Sequence, residues 1–378
     1  MAAVPQFHSP GFDRQKAREL MKARDVDGLL LTSPENVFYT TGYTALPGSG
    51  NPILYALRNR LPFFSYVDTE GRVSLLCWGF STEGVDFGAD DVIGFNDIAG
   101  ARSAVGTLLS RVLGPRAHLG IESSCPYSVL ALINESVRTD RPLLVIDDLL
   151  ATLRLIKSDA EIALLKKSTE IIEATVPELY DVLYHGMSRL DLTREAKYRM
   201  IKNGATGVSH ITFSFAKENP EIAIDERLDE NRLITLDLGG IYNGYCSDNR
   251  RYAYSGRVPD SLHTCYETMV GIVDDVGGML VPGASYADVY GRAVDLYARH
   301  GIPLLDRFTH VGHNIGIETE EQWLDDDPET MVRAGMVINI ELYAHAPTGE
   351  QIGDEETYII GEDGPTRISI LPREITTV

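Results

Sequence analysis

The sequence predicts a chain of two domains, an α/β layer domain followed by an α+β domain. Length is the first reason, because 378 residues exceed the roughly 250–300 residues that one hydrophobic core holds. The second reason is that residues 1–150 alternate short apolar runs with helical patterns, which is typical of an α/β domain with a parallel or mixed sheet. The third is that the remaining residues combine long amphipathic helices with strands that carry acidic residues among apolar ones. We place the domains at residues 1–152 and 153–378.

In the first domain, apolar runs predict strands, and the amphipathic stretches between them predict helices. The predicted strands cover residues 27–32, 73–79, 91–95, 118–122 and 143–147. The predicted helices cover residues 14–25 and 100–114. Because this domain holds no cluster of His, Asp and Glu at ligand spacing, we expect it to cover a site or to make an oligomer contact.

The second domain is predicted to begin with a long amphipathic helix. Ser158 and Glu161 have the spacing of a capping box, in which each side chain accepts a hydrogen bond from the other residue's backbone N–H. Two further helices are predicted over residues 260–280 and between Ser285 and Gly301, since glycine is a common C-terminal stop. Strands are predicted over residues 233–248, 250–256, 335–345 and 355–364.

The composition of the chain indicates which binding partners and which cellular compartment to expect. A net charge of −21 argues against nucleic acid or an anionic membrane as the partner, because both attract basic surfaces. Four cysteines without a CxxC pair argue against a disulfide framework or a thiolate zinc site and favour a reducing compartment. The N-terminus lacks the pattern of a signal peptide, and no apolar run reaches the roughly 18 residues that span a membrane. We therefore expect a soluble, cytoplasmic protein.

Acidic residues inside apolar strand patterns are the strongest functional signal. Asp237 interrupts "LITLDLGG", and a carboxylate in a strand core is costly unless it is paired or binds a metal. A turn at Asn243–Gly244 would fold this strand back and bring Asp248 to the same end of the sheet. Glu341 in "GMVINIELY" and Glu355 near "TYII" repeat the pattern.

One histidine joins these acids. The stretch "THVGHNIGIETEEQW" contains His310 and His313. Four carboxylates and one imidazole make an oxygen-rich donor set that suits Mn²⁺, Co²⁺, Fe²⁺ or Zn²⁺ in a two-metal site and suits copper poorly. Taken singly, each residue has a structural alternative as a turn aspartate, a solvated glutamate or a packed histidine. The ordered set of five favours a metal site.

Several short motifs of the sequence resemble motifs of one known family. The pairs in the second domain are "LDLGGIYNGYCSDNRR" with D-x-G-x-x-Y-x-G-Y-x-S-D-x-x-R, "GHNIGIE" with GHGIGLE, "GMVINIE" with GMVFTIE, and "EETYIIGEDG" with EDTVLVTEDG. In the first domain, "SPENVFYTTGY" and "LRLIKSDAEI" match the family's first domain and linker. The chain therefore resembles the pita-bread metallohydrolases, the M24-type group that includes methionine aminopeptidase, aminopeptidase P, prolidase and creatinase-like enzymes.

The resemblance implies a creatinase/prolidase-type α/β domain followed by a pita-bread α+β catalytic domain, in a homodimer. It implies two divalent ions, Mn²⁺ first and Co²⁺, Zn²⁺ or Fe²⁺ as alternatives, bound to five side chains: Asp237, Asp248, His313, Glu341 and Glu355. Glu341 is also expected to take the proton from an attacking water, as a carboxylate beside a metal does. Thr235 and Thr357 are either residues that orient the ligating carboxylates or plain strand residues.

The chain departs from the family's proline-specific peptidases at three places. It lacks the histidine that precedes the first metal aspartate, it has Glu320 where a second histidine is usual, and it has Gly353 where an arginine is usual. His210 and His310 are candidate catalytic residues that supply the lost imidazole, and His345 is a further candidate. Packing or surface roles are the alternatives for these histidines.

The acids that follow His313 bear on the substrate. Glu318, Glu320 and Glu321 are expected to make the pocket rim negative and to favour a cationic or amine-bearing substrate. One hypothesis is a metal-dependent Xaa-Pro aminopeptidase or dipeptidase that acts on short peptides. The other is a non-peptidase enzyme of the same fold that cleaves a C–N or related bond in a small metabolite, as creatinase-like and ectoine-hydrolase-like relatives do. A non-catalytic binding protein is disfavoured, because five buried ligands are costly without a metal.

Overall fold

The computed structural model describes residues 6–48, 51–60, 62–114, 116–136, 140–215, 225–305 and 308–378. The chain divides into two compact units, Met1–Arg154 and Leu155–Val378. The boundary expected from the sequence lies after residue 152. None of the helices in the described ranges combines the length and the apolar character needed to cross a lipid bilayer.

The first unit alternates strands and helices along the chain. Its strands are β1 (Gln6–Phe7), β2 (Gly28–Leu31), β3 (Phe64–Asp68), β4 (Val73–Trp78), β5 (Asp86–Phe87), β6 (Asp91–Phe95), β7 (Leu119–Ile121) and β8 (Leu144–Val145). Its helices are α1 (Arg14–Ala23), α2 (Pro34–Thr41), α3 (Pro52–Leu57), α4 (Ile98–Val112), α5 (Tyr127–Ser136) and α6 (Asp147–Leu155), with a 3₁₀ turn at Gly79–Ser81. The five strands predicted from the sequence are all present, whereas β3 and α2 were not predicted.

The strands of the first unit form a mixed sheet. Within the described residues the order is β6-β4-β3-β2-β7-β8, and β1 pairs separately with β5. β3 runs antiparallel to both β2 and β4, whereas the β2–β7, β7–β8 and β4–β6 pairs are parallel. Apolar side chains of α4 and α5 share a core with this sheet, and that core includes Leu108, Ile133, Leu30 and Phe64. The expected α/β layer domain with a mixed sheet is confirmed.

The second unit begins with the predicted long helix. Its helices are α7 (Asp159–Tyr180), α8 (Arg189–Lys202), α9 (Asp260–Gly277) and α10 (Tyr286–His300). The capping box of Ser158 and Glu161 starts α7, and Ser285 caps α10, which ends at Gly301 in the left-handed conformation. Its strands are β9 (Gly207–Ser214), β10 (Leu233–Tyr242), β11 (Tyr245–Cys246), β12 (Asn249–Tyr254), β13 (Gly312–Asn314), β14 (Gln322–Trp323), β15 (Val337–His345), β16 (Gln351–Gly361), β17 (Gly364–Arg367) and β18 (Ile375–Thr377).

Two sheets, each backed by helices, form the second unit. In the described residues, one sheet has the order β11-β10-β12-β18 with β9 also paired to β10, and the other has the order β14-β13-β15-β16-β17. Helices α7 and α8 share a core with the first sheet, where Ile172 packs with Leu236. Helices α9 and α10 share a core with the second sheet, where Val273 packs with Ile340. β12 contacts β16, so the two sheets adjoin along these strands.

Candidate active site

A tight hairpin places the first two candidate ligands. Asn243 and Gly244 have φ angles of 48° and 90°, the left-handed pair that a two-residue hairpin turn requires. β10 then pairs with β12 so that Asp237 lies directly opposite Arg250. Asp248 immediately precedes β12. The predicted turn at Asn243–Gly244 is therefore present, and it brings the two aspartates to the same end of the sheet.

The second sheet supplies the other three candidates. His313 lies on β13, opposite Asn339 of β15. Glu341 of β15 lies directly opposite Glu355 of β16. Like charges at directly opposed positions of neighbouring strands destabilise a sheet unless something compensates them. This pairing therefore requires positive charge nearby.

The five side chains meet where the two sheets adjoin. Nε2 of His313 lies 3.5 Å from Oδ2 of Asp248 and 3.9 Å from Oε1 of Glu341. The four carboxylates line one cavity of about 680 Å³ within the second unit. His313 is 1% exposed and Glu355 is 1% exposed, so the donors at the back of the cluster are shielded from bulk water.

His210, a candidate catalytic residue, reaches this cluster from β9. Its Nε2 lies 3.1 Å from Oδ1 of Asp237 and 3.1 Å from Oδ1 of Asp248. β9 pairs with β10 so that His210 faces Gly239. A Cβ atom at Gly239 would lie 2.6 Å from Cε1 of His210, so only glycine lets the imidazole approach this closely.

His310, the other candidate catalytic histidine, lies on the cavity wall and not among the ligands. Its ring stacks on Trp323 with 5.0 Å between centroids and 19° between planes. Both residues line the cavity. His345 is exposed at the end of β15. Of the three histidines, His210 is the one that contacts the acids.

Arg250 is a cation of the site that the sequence analysis missed. Its guanidinium donates a hydrogen bond to Oδ2 of Asp237, and its Nε lies 3.9 Å from Oε2 of Glu355. The same guanidinium lies 4.2 Å from the centroid of the Tyr343 ring, a favourable cation–π position. The sequence did contain a signal for Arg250. The D-x-x-R motif that begins at Asp248 uses Arg251 as its arginine, so Arg250 is an additional cation beside it.

The neighbouring Arg251 points to the opposite face of β12. Its guanidinium donates to Oε1 of Glu356 at 2.6 Å and to Oγ of Ser369 at 3.2 Å. Burial raises the pKa of Glu356 to about 7 even though Arg251 opposes the shift. Because successive side chains of a strand point to opposite faces, Arg250 faces the cavity and Arg251 faces the core.

A hydrogen-bonded chain holds the Glu355 carboxylate. The side-chain amide of Asn339 donates to Oε1 of Glu355 at 2.7 Å, and the hydroxyl of Thr357 donates to the amide oxygen of Asn339 at 3.0 Å. Of the two alternatives for Thr357, a residue that orients a carboxylate or a plain strand residue, the contacts favour the first, and they run through Asn339. Thr235 is buried on β10, two residues before Asp237.

The acidic rim is smaller than the sequence suggested. Glu318 and Glu320 line the cavity. The expectation for Glu321 is wrong, because its Oε2 lies 2.6 Å from Nζ of Lys157 in a pair whose side chains are 1% and 8% exposed. Glu321 is therefore a structural residue beneath the rim.

The position of Gly353 has no room for the arginine that is usual there in the family's proline-specific peptidases. A Cβ atom there would lie 2.0 Å from the backbone oxygen of Leu342 and 2.4 Å from Cδ1 of Tyr343. The Tyr343 ring therefore occupies the space beside this glycine. The guanidinium of the site comes from β12 instead, through Arg250.

Electrostatics show that the cluster is short of positive charge. Burial and the charges of Asp248, Asp237 and Glu341 raise the pKa of Glu355 well above its ordinary value. Burial lowers the pKa of His313, but its contacts with Asp248 and Glu341 raise the pKa to about 9. Four carboxylates converge here. Among the described residues, the arginine that pairs with them is Arg250, through Asp237 and Glu355.

The donors fit a divalent cation. Ligand atoms of His210, Asp237 and Asp248 lie within 4.8 Å of one another, and His313 and Glu341 continue the cluster. Carboxylate oxygen and imidazole nitrogen without thiolate suit hard or borderline divalent metals. A cation at this place would also relieve the repulsion between Glu341 and Glu355.

Both units of the chain match models of known protein families. Residues 163–362 match metallopeptidase family M24, and residues 14–156 match the creatinase/prolidase N-terminal domain. An Xaa-Pro dipeptidase of Pyrococcus horikoshii is 24% identical over 96% of this chain and 97% of its own.

Solved structures share the fold over almost the entire chain. A prolidase from Thermococcus sibiricus superposes with a TM-score of 0.83 at 20% identity, covering 97% of this chain and 98% of the other. The N-terminal domain of the FACT complex subunit SPT16 from chickpea superposes with a TM-score of 0.71 at 18% identity, covering 96% of each chain. The expected fold class, a creatinase/prolidase-type domain followed by a pita-bread domain, is confirmed.

Proposed function

Because the chain belongs to metallopeptidase family M24, we propose that it is a metal-dependent hydrolase that cleaves Xaa-Pro bonds in short peptides. The observation that carries this proposal is that four carboxylates line one cavity, with Nε2 of His313 within 3.9 Å of two of them. The carboxylates are those of Asp237, Asp248, Glu341 and Glu355. The relatives include two Xaa-Pro dipeptidases, one matched over 96% of this chain and the other over 68%. Peptides are therefore the first substrate class to test.

The family implies divalent metal ions, and we propose that these five side chains hold them. Mn²⁺ is our first choice, and Co²⁺, Zn²⁺ and Fe²⁺ suit the same donors. The sequence led us to expect two ions. When bound, such ions polarise a carbonyl group and lower the pKa of a water molecule.

We propose that Glu341 accepts the proton of the attacking water. Its side chain is 16% exposed, so it reaches the cavity. The hydroxyl of Tyr343 donates to Oε2 of Glu341 and fixes the carboxylate. Burial raises the pKa of Tyr343 well above its ordinary value, so the phenol stays protonated and keeps donating.

The cavity walls suggest how a peptide is held. Glu318 and Glu320 offer negative charge to a substrate amine, and the stacked rings of His310 and Trp323 offer a flat wall. His210, 26% exposed at its side chain, faces the same space, with its Nε2 against Asp237 and Asp248 and its Nδ1 2.9 Å from Oγ of Ser209. We propose that it orients these two aspartates. The negative charge of Glu318 and Glu320 favours a substrate with a free amine.

Substrate and metal can be tested together. Metal-depleted protein is reconstituted with Mn²⁺, Co²⁺, Zn²⁺ or Fe²⁺ and incubated with Xaa-Pro dipeptides and tripeptides, with Xaa-Ala peptides as matched controls. We expect proline release with at least one metal and loss of release after chelation. Absence of release with every metal, in protein that has bound metal, would contradict the peptidase proposal.

That negative result would favour a second candidate, a non-peptidase enzyme that cleaves a C–N bond in a small metabolite. The observation in its favour is the replacement of usual peptidase groups by Glu320 and Gly353, the latter in a position that admits no side chain. Screening small amides and amine-bearing metabolites with the same reconstituted protein distinguishes the two.

We also propose that the protein acts as a cytoplasmic homodimer. The absence of paired CxxC cysteines supports the compartment, and the family resemblance supports the dimer. Size-exclusion chromatography with light scattering measures the oligomeric state, and cell fractionation measures the location. A monomeric mass, or recovery in the secreted fraction, would contradict these points.

A further inference from the structure

We propose that the guanidinium of Arg250 takes the place of one divalent ion, so that the centre binds a single ion per chain. This inference rests on the proposed function, because it assumes that the cluster of acids binds metal. It revises the count of two that the sequence suggested.

The register of the hairpin fixes Arg250 at this place. Asp237 and Arg250 are directly opposed on β10 and β12, so their side chains leave the sheet on the same face. The two residues are 6% and 9% exposed. The backbone pairing that positions Asp237 therefore also positions Arg250 within the cluster.

The guanidinium is held on several sides. It donates to Oδ2 of Asp237, lies 4.2 Å from the centroid of the Tyr343 ring, and approaches Oε2 of Glu355 to 3.9 Å through its Nε. Among the described residues that Nε has no hydrogen-bond partner although it is buried. The positive group thus lies between Asp237 and Glu355, where a cation that used both carboxylates would have to lie.

Both oxygens of Asp237 are already engaged. Oδ2 accepts from Arg250, and Oδ1 lies 3.1 Å from Nε2 of His210. A divalent ion at Asp237 would have to displace these contacts and would then lie a few ångström from a charge of the same sign, in a site with little water to screen it. The Arg250 charge therefore disfavours an ion bound through Asp237, although His210, Asp237 and Asp248 bring their ligand atoms within 4.8 Å of one another.

The opposite side of the cluster stays available. Oδ2 of Asp248 and Oε1 of Glu341 both face Nε2 of His313, at 3.5 Å and 3.9 Å. In the described part of the chain, the ion pairs of Arg250 are made with Asp237 and Glu355 and not with these three donors. Arg250 balances part of the negative charge of the four carboxylates. One ion at this position would balance the rest.

Metal stoichiometry tests the proposal without any measurement of activity. Metal-free protein is saturated with Mn²⁺, passed through a desalting column, and assayed for bound metal by inductively coupled plasma mass spectrometry. We expect one ion per chain in the wild type and two in Arg250→Thr, which removes the charge and opens the space. Arg250→Lys is the matched control, because it keeps a cation at the same position and should bind one ion.

Electron paramagnetic resonance gives a second readout on the unchanged chain. A single Mn²⁺ ion gives an uncoupled six-line spectrum, whereas two ions that share carboxylates give an exchange-coupled spectrum. Two ions in the wild type, or one ion in a folded Arg250→Thr variant, would overturn the proposal. No bound ion in the wild type would instead contradict the metal centre of the proposed function and remove the basis for this inference.

Discussion

Lys157 and Glu321 form a buried ion pair that secures one wall of the cavity. Nζ of Lys157 lies 2.6 Å from Oε2 of Glu321, and the side chains are 1% and 8% exposed. Oε1 of Glu321 also accepts a hydrogen bond from the backbone N–H of Ile317 at 3.1 Å. The pair therefore anchors the segment that presents Glu318 and Glu320 to the cavity.

We expect Lys157→Met to lower the free energy of unfolding by about 3–5 kcal/mol, the range for removing one partner of a buried ion pair. Methionine keeps most of the apolar stem, so the loss comes mainly from the uncompensated charge of Glu321. Adding Glu321→Gln should recover most of the loss, since the glutamine carbonyl still accepts from Ile317 and no buried charge remains.

Tryptophan fluorescence can report this change from the second unit alone. The chain has two tryptophans, Trp78 in the first unit and Trp323, two residues after Glu321. In a Trp78→Phe background, urea denaturation followed by fluorescence measures the unfolding that Lys157→Met affects. A loss below about 1 kcal/mol, typical of exposed pairs, would refute the reasoning. So would a double variant no more stable than Lys157→Met.

Three further predictions concern the metal. His313→Ala should lose bound metal and proline release together, as measured by metal analysis and a peptide assay, and full metal retention would remove His313 from the ligands. Asn339→Ala removes the donor to Glu355 and should weaken metal affinity by about 10–100-fold in titration calorimetry, with Thr357→Val as the milder matched variant; unchanged affinity would show that the amide does not act on the centre. Chelation should lower the melting temperature and Mn²⁺ should restore it, since an ion at about 100 times its dissociation constant stabilises the folded state by about 2.7 kcal/mol; a calorimetric melting temperature indifferent to metal would contradict binding to the folded cluster.

The candidate acids within strands could be predicted because each one interrupts an apolar pattern, whereas His313 was assigned through the family resemblance. Asp237 stands in an apolar strand, and Glu341 and Glu355 repeat that anomaly in strands that the structure pairs directly. The turn at Asn243–Gly244 is likewise local chemistry, since both residues tolerate the positive φ that the hairpin needs. Signals of this kind lie within a few residues and need no knowledge of the tertiary fold.

Other residues depend on contacts that no local pattern contains. Arg250 faces Asp237 only because of the register between β10 and β12. Glu321 looked like a rim acid because its partner Lys157 is 164 positions away in the chain. Helix α2 was missed for a related reason, since it is buried on all sides and so lacks the amphipathic period that identifies a helix.

Anomalous X-ray diffraction from crystals grown with Mn²⁺, recorded at the manganese absorption edge, tests the central claim most directly. We expect an anomalous peak at coordination distance from Asp248, His313 and Glu341. Saturated crystals without a peak at these side chains, or with manganese only elsewhere in the chain, would contradict the assignment of a metal-dependent hydrolytic centre to this cavity.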